Sequence, residues 1–300
     1  MLADRPPLKR FLLDPLLAVV TVIVYALFRS MRFWAASALG GLIARTIGPH
    51  LPINRRAVRN VRLAFPEKTD AEVKAIIREM WDNLGRMAGE YPHLGKMDVY
   101  KPFGFVDVEG AENVDLLRDD DKPGIFFSAH IANWEIVSLG AIQRGLPLDR
   151  VYRAANNRLT EWLYHRGRAT GGDGGQLIPK GAKGARMLVK SLKDGRHLGM
   201  LVDQKMNDGI PVPFFGRDAM TAPALAELAL RYDCPVVPAR VVRIKGPKLR
   251  LIVEPPLEFT PTGDRHADVA ALMALVNQRL ESWIRDTPGQ WLWLHNRWPD

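Results

Sequence analysis

His130 and Glu135, five positions apart in the stretch GIFFSAHIANWE (residues 124–135), are by type the residues of this chain most suited to moving a proton. A histidine whose second ring nitrogen is held by a carboxylate is a positioned general base, because the carboxylate fixes the tautomer and steadies the imidazolium that forms. On one straight helix, residues five apart point about 140° away from each other. The two side chains therefore meet only if His130 lies in a turn and Glu135 on the helix after it. The same spacing also suits a core histidine followed by a helix-surface glutamate, so placement has to decide. Ile125-Phe126-Phe127 follows Pro-Gly and reads as a buried strand. His130 then stands at the strand's C-terminal end, the edge at which open α/β sheets bind ligands.

Other polar residues fall just past predicted strands: Arg153 with Asn156 and Asn157, Lys180, and Asp203 with Gln204. With His130 these make four such groups at one edge, which describes a pocket. Asp203 could accept hydrogen bonds from a substrate amine or sugar hydroxyl, or pair with an arginine of a neighbouring strand. Arg166 and Arg168 end a predicted helix, where cations either complement the helix dipole or grip a phosphate in a bidentate fork. Lys180-Gly181-Ala182-Lys183 opens a helix and could cradle an anion. The run Gly171-Gly172-Asp173-Gly174-Gly175 has no Gly-Lys-Ser/Thr after it and reads as a loop rather than a P-loop. Ser128 lacks the glycine elbow of a serine nucleophile, which argues against a covalent intermediate.

Composition narrows the chemistry. The single cysteine, Cys234, excludes a disulfide framework and a cysteine zinc cluster, and reads as an inert, buried strand residue. The seven histidines include no H-x3-H pair, so no metal site is expected, and no cofactor. The net charge of +9 is concentrated at the start: residues 1–60 hold nine Lys/Arg against Asp4 and Asp14, or +7, which leaves +2 for the rest. These cations flank apolar sequence, which points to an anionic membrane surface and away from nucleic acid.

Asp14-Pro15 is a helix start, with an N-cap residue and proline at the first helical position. Leu16 to Phe28 carries no charge for 13 residues, short of the roughly 20 that span a bilayer. Arg29 and Arg32 intervene before Phe33–Ala44. The expectation is an N-terminal apolar membrane-anchor helix, retained and partly inserted, with a single span and a buried core helix as the other readings. Residues 1–50 are accordingly read as anchor or interfacial helices and 51–300 as the catalytic domain. Ile53–Phe65 is a basic amphipathic helix. Thr69-x-x-Glu72 is a capping box ahead of an apolar stripe from Val73 to Met87. Strands are predicted at Phe105–Val108, Gly124–Ser128, Asp149–Tyr152, Gln176–Ile178, Leu198–Val202, Pro235–Ile244 and Leu249–Glu254, the last two as a hairpin. Helices are predicted at Ala111–Arg118, Asn133–Arg144, Leu159–Arg168, Ala182–Lys193, Pro223–Tyr232 and Ala267–Arg285. Lys205–Gly216 reads as a loop. The alternation describes an α/β fold with a mostly parallel mixed sheet flanked by helices. A tail with Trp291, Trp293 and Trp298, beside His295 and Arg297, suits either packing on the sheet or a membrane-interface belt.

HIANWE resembles the H-x4-D/E motif of glycerolipid-type acyltransferases. YRAANNRLTEWLYHRGR (Tyr152 to Arg168), VDQ (Val202 to Gln204) and VPFFG (Val212 to Gly216) are similar, in this order, to the lipid A late acyltransferases, the lauroyl/myristoyl group. The resemblance runs nearly the whole length. It implies transfer of a fatty acyl chain from acyl carrier protein to a hydroxyl on a chain already carried by a lipid A precursor, at the cytoplasmic face of a Gram-negative inner membrane. It puts His130 and Glu135 on the catalytic pair, and Arg168 and Asp203 on further functional positions; Gln204, Arg153, Asn156 and Arg166 are the other expected substrate contacts. The implied partners are acyl carrier protein, the lipid A precursor and the phospholipid surface. Phospholipid-making relatives usually carry Asp at the second motif position and a later Pro-Glu-Gly block; Glu135 and Asp-Gln depart from that pattern. Other readings are the same chemistry on a glycerophospholipid, glycolipid or amino-acid lipid, or an inactive lipid-binding protein.

Overall fold

The computed structural model describes residues 13–152, 157–163 and 175–298. Four N-terminal helices come first: α1 (Asp14–Ser30), α2 (Phe33–Ile47), α3 (Asn54–Ala64) and α4 (Asp70–Glu90). The alternating part follows as β1 (Val106–Glu109), α5 (Glu112–Asp119), β2 (Ile125–Ser128), α6 (Glu135–Gln143), β3 (Leu148–Tyr152), β4 (Leu177–Pro179), α7 (Ala182–Lys193), β5 (His197–Leu201), β6 (Ile210–Phe214), β7 (Arg217–Thr221), α8 (Ala224–Tyr232), β8 (Val236–Lys245), β9 (Lys248–Val253) and α9 (Arg265–Asp286).

Seven strands form one sheet in the order β1-β9-β8-β2-β5-β3-β4. From β8 to β4 all neighbours are parallel; β9 returns antiparallel to β8, and β1 pairs parallel with β9. Strand β2 is central and all four of its residues are buried, which is why its sequence is an unbroken apolar run instead of an alternation. The capping box before α4 forms in both directions: Glu72 N–H donates to Thr69 Oγ1, and Thr69 N–H donates to the Glu72 carboxylate. Trp291, Trp293 and Trp298 are all buried, so the tail packs against the body of the protein. Cys234 is buried just ahead of β8, and burial pushes its thiol up to about 12.

Two expectations need correction. Lys205–Gly216 is only in part a loop, because Ile210–Phe214 and Arg217–Thr221 form an antiparallel hairpin outside the main sheet. Pro211 and Pro213 hid the strand; both are exposed and sit on the outward face, while Val212 and Phe214 are buried. The turn is Phe215-Gly216, with φ of 53° and 69°, the left-handed pair that a two-residue hairpin of natural twist requires.

The second correction concerns the anchor helix. No described helix is long and apolar enough to cross a membrane. Helix α1 has 17 residues and α2 has 15; at about 1.5 Å per residue neither covers the roughly 30 Å of a hydrocarbon core. Both also pack on protein. Ala18 and Phe28 of α1 are buried, as are Ala36, Ser37, Gly40 and Gly41 of α2. Gly40 meets Gly85 of α4 so closely that a Cβ on either would overlap the other's carbonyl oxygen, and Gly89 lies as tightly on the Ala36 carbonyl. The outward sides of α1 and α2 remain apolar, with Leu16, Leu17, Ile23, Leu27, Trp34 and Ile43 exposed.

Candidate active site

The sheet places the chemistry. Strands β2 and β5 are parallel neighbours, with Ser128 opposite Leu201. Two residues beyond each lie His130 and Asp203. The Asp203 Oδ1 is 2.8 Å from His130 Nδ1, and Oδ2 accepts the His130 backbone N–H at 3.0 Å. Oδ2 also accepts the indole N–H of Trp291 at 2.7 Å. Asp203 is fully buried, and burial alone would raise its pKa. The facing His130 charge and these donated hydrogen bonds outweigh that cost and hold the carboxyl well below the usual carboxylate range. An ionised Asp203 accepts from Nδ1–H, which leaves Nε2 of His130 as the basic nitrogen. The side-chain amide of Gln204 stands 3.3 Å from that Nε2 as a donor. Trp134 packs edge-on against the imidazole, ring centres 4.8 Å apart.

The carboxylate on His130 Nδ1 is therefore Asp203, where the sequence spacing nominated Glu135. Between His130 and α6 the chain makes a turn with Ala132 in the left-handed region, φ 49°. That turn carries Glu135 into the first position of α6, on the wall of the cavity His130 faces. The turn is bonded to the C-terminal tail: Ile131 bridges Trp291, Leu292 N–H donates to the His130 carbonyl at 3.0 Å, and Ala132 N–H to the Gln290 carbonyl at 3.0 Å. Sequence reasoning missed Gln290, and gave Trp291 no role at the site; the nearest signal was the clustering of tryptophans at the C-terminus.

The cavity measures about 520 Å³. Its polar edge is His130, Glu135, Lys180 and Gln204. Its lining also takes in Val24, Tyr25 and Phe28 of α1 with Leu84 and Met87 of α4. A narrow cleft of about 60 Å³ continues between β2, β3, β5 and α6, sharing Trp134, Glu135 and Leu201 with the larger space. The arrangement sets His130 and Glu135 at the polar edge of a mainly apolar chamber with a narrow, mainly apolar extension.

Of the expected site residues, the structure brings together His130, Glu135, Asp203, Gln204 and Lys180. Arg153, Asn156, Arg166 and Arg168 lie outside the described residues, as does the second half of the expected helix Leu159–Arg168. Asn157 donates from its amide to the Asp14 carbonyl at 2.6 Å, tying the strand-β3 loop to the start of α1.

Residues 9–300 match the family model described as bacterial lipid A biosynthesis acyltransferase. The chain is 27% identical over 249 residues to the lipid A biosynthesis palmitoleoyltransferase of Escherichia coli K12, covering 80% of this chain and 77% of that protein. It is 28% identical over 247 residues to the lipid A biosynthesis lauroyltransferase of the same organism, covering 80% and 76%. To the myristoyltransferase of that organism the identity is 24% over 243 residues, covering 80% and 73%.

Proposed function

The chain belongs to the bacterial lipid A biosynthesis acyltransferases, and on that premise we propose that it moves a fatty acyl chain from acyl carrier protein to a hydroxyl of an acylated sugar lipid, with His130 as general base. The observation that carries this reading is the His130–Asp203 pair, with Nδ1 committed to a buried carboxylate and Nε2 directed at an apolar cavity.

The chemistry runs in one displacement. Nε2 of His130 takes the proton of the acceptor hydroxyl, and Asp203 steadies the imidazolium. The alkoxide oxygen forms its bond to the thioester carbonyl carbon, giving a tetrahedral oxyanion. The C–S bond then breaks, and the departing thiolate takes the proton from His130. No acyl-enzyme forms. General-base help of this kind contributes about 10²–10⁴-fold, and positioning of two bound reactants supplies much of the rest. Candidate donors to the oxyanion are the Gln204 amide, which stands beside His130 Nε2, and backbone N–H groups at the start of α6; Arg168 is a further candidate by resemblance. Arg153, Asn156 and Arg166 enter this reading in the same way, as contacts to an anionic substrate.

The walls from α1 and α4 suit acyl chains. The exposed apolar sides of α1 and α2 suit a phospholipid surface, from which an acylated acceptor would be drawn. This reading sets the enzyme at the cytoplasmic face of the inner membrane, where it would meet acyl carrier protein.

Mass spectrometry of lipid A from cells with and without the gene tests the proposal. Loss of one secondary acyl chain is the expected result and would give the chain length. Unchanged lipid A would refute the acceptor and point to another lipid hydroxyl.

A further inference from the structure

Glu90, the last residue of α4, is fully buried and forms a bidentate ion pair with Arg243 of β8: Nη1 to Oε1 at 2.6 Å and Nη2 to Oε2 at 3.0 Å. The proposed chemistry uses neither. Burying such a pair is a poor route to stability, since desolvation of both charges offsets their attraction. Its connections suggest another purpose. Glu90 Oε2 accepts the amide N–H of Asn133 at 2.8 Å. Arg243 Nε donates to Asn83 Oδ1 at 2.8 Å, and the Asn83 amide donates to the carbonyls of Ala132 and Gln290, each at 3.3 Å. Gln290 closes the circuit on the Arg243 backbone, accepting its N–H at 2.7 Å and donating to its carbonyl at 2.9 Å.

Every one of these bonds ends on the turn between His130 and Glu135 or on a residue that bonds it. That turn contains Ala132, buried and left-handed, a conformation that residues with a Cβ avoid. Asn133 is itself fully buried, and among the described residues its Oδ1 has no hydrogen-bond partner. Ser37 of α2 donates to Glu90 Oε1 at 2.7 Å and links the N-terminal helices to the same pair.

We infer that Glu90 and Arg243, acting through Asn133 and Asn83, are positioning residues that hold the 131–134 turn and thereby set His130 on Asp203 and Glu135 at the cavity. The inference rests on the reading of His130 as base. The test compares full-length wild type with Asn133→Ala, Asn133→Ala/Ala132→Gly, Glu90→Gln and His130→Ala. It uses acyl carrier protein thioester and an acylated sugar-lipid acceptor, with a thermal melt of each protein. Asn133→Ala should lower kcat by about 10–100-fold, the scale of a small misplacement of a catalytic group, with KM held within about twofold. Ala132→Gly should restore part of that loss, because glycine enters the left-handed turn without help from the network. Glu90→Gln should follow Asn133→Ala if it folds, and Asn133→Ala decides if it does not. A folded Asn133→Ala with wild-type kcat overturns the inference, as does a loss that merely tracks the folded fraction and is not relieved by Ala132→Gly. If His130→Ala is inactive in the same assay, only the inference falls. If His130→Ala is fully active, the base assignment falls and the inference with it.

Discussion

His130 and Asp203 stand each two residues beyond a paired position, Ser128 opposite Leu201, on adjacent parallel strands. The register of the sheet thus delivers imidazole and carboxylate side by side, 2.8 Å apart, from segments 73 residues apart in the chain. Trp291 donates to the same carboxylate from the C-terminal tail, so three distant pieces of sequence converge on one proton acceptor.

Asp203→Asn should lower kcat by about 10²–10⁴-fold, because the amide both loses the charge facing the imidazolium and can present the wrong tautomer to it. Glu135→Gln should cost less, since Glu135 lines the cavity and Asp203 occupies Nδ1. Steady-state transfer assays on the two variants rank the carboxylates. Equal losses would give Glu135 as large a share in the chemistry as Asp203.

His295 should make the protein acid-sensitive. Burial pushes its pKa down from 6.5 to about 4, and among the described residues its Nδ1 has no hydrogen-bond partner. The unfolded chain therefore binds the proton first as pH falls, so the contribution of His295 to stability is full above 6.5 and is lost between 6.5 and about 4. Urea unfolding across that range should show a decline in wild type that His295→Gln flattens; parallel curves for the two proteins would refute it.

Gly85→Ala should loosen the α2–α4 contact. The added Cβ would overlap the Gly40 carbonyl oxygen and press on the Ala44 side chain. Overpacking of this kind costs about 1–3 kcal/mol, read as a lower denaturant midpoint with an unchanged slope. An unaltered midpoint would mean that the two helices can separate without loss.

Gly216→Ala should destabilise the β6–β7 hairpin by about 1–2 kcal/mol, the cost of placing an L-residue at a left-handed position. The turn already holds one such residue, Phe215, whose N–H donates to Glu281 at 2.5 Å and whose ring packs against Phe65, Phe214 and Trp298. Gly216 has no neighbours that a Cβ would touch, so the cost is conformational and should appear in equilibrium unfolding. A neutral Gly216→Ala would place the strain elsewhere.

The sequence by itself determined the features that depend on near neighbours. The unbroken run at Ile125–Phe127, the Thr69/Glu72 capping box and the alternation from β1 to β9 are set by spacings of two to four residues, and the structure has each of them. Lys180, Asp203 and Gln204 at strand ends were legible for the same reason, and so was His130 at the tip of β2. Only the tertiary structure decided which carboxylate His130 meets, because that follows from pairing Ser128 with Leu201, and no local pattern encodes register between distant strands. The hairpin behind Pro211 and Pro213 was hidden because an outward edge of an isolated two-stranded ribbon tolerates residues that a central strand would reject. The members of the Glu90–Arg243 pair lie 153 residues apart in the chain; no local spacing links them, and only the fold buries them together beside the turn that follows His130.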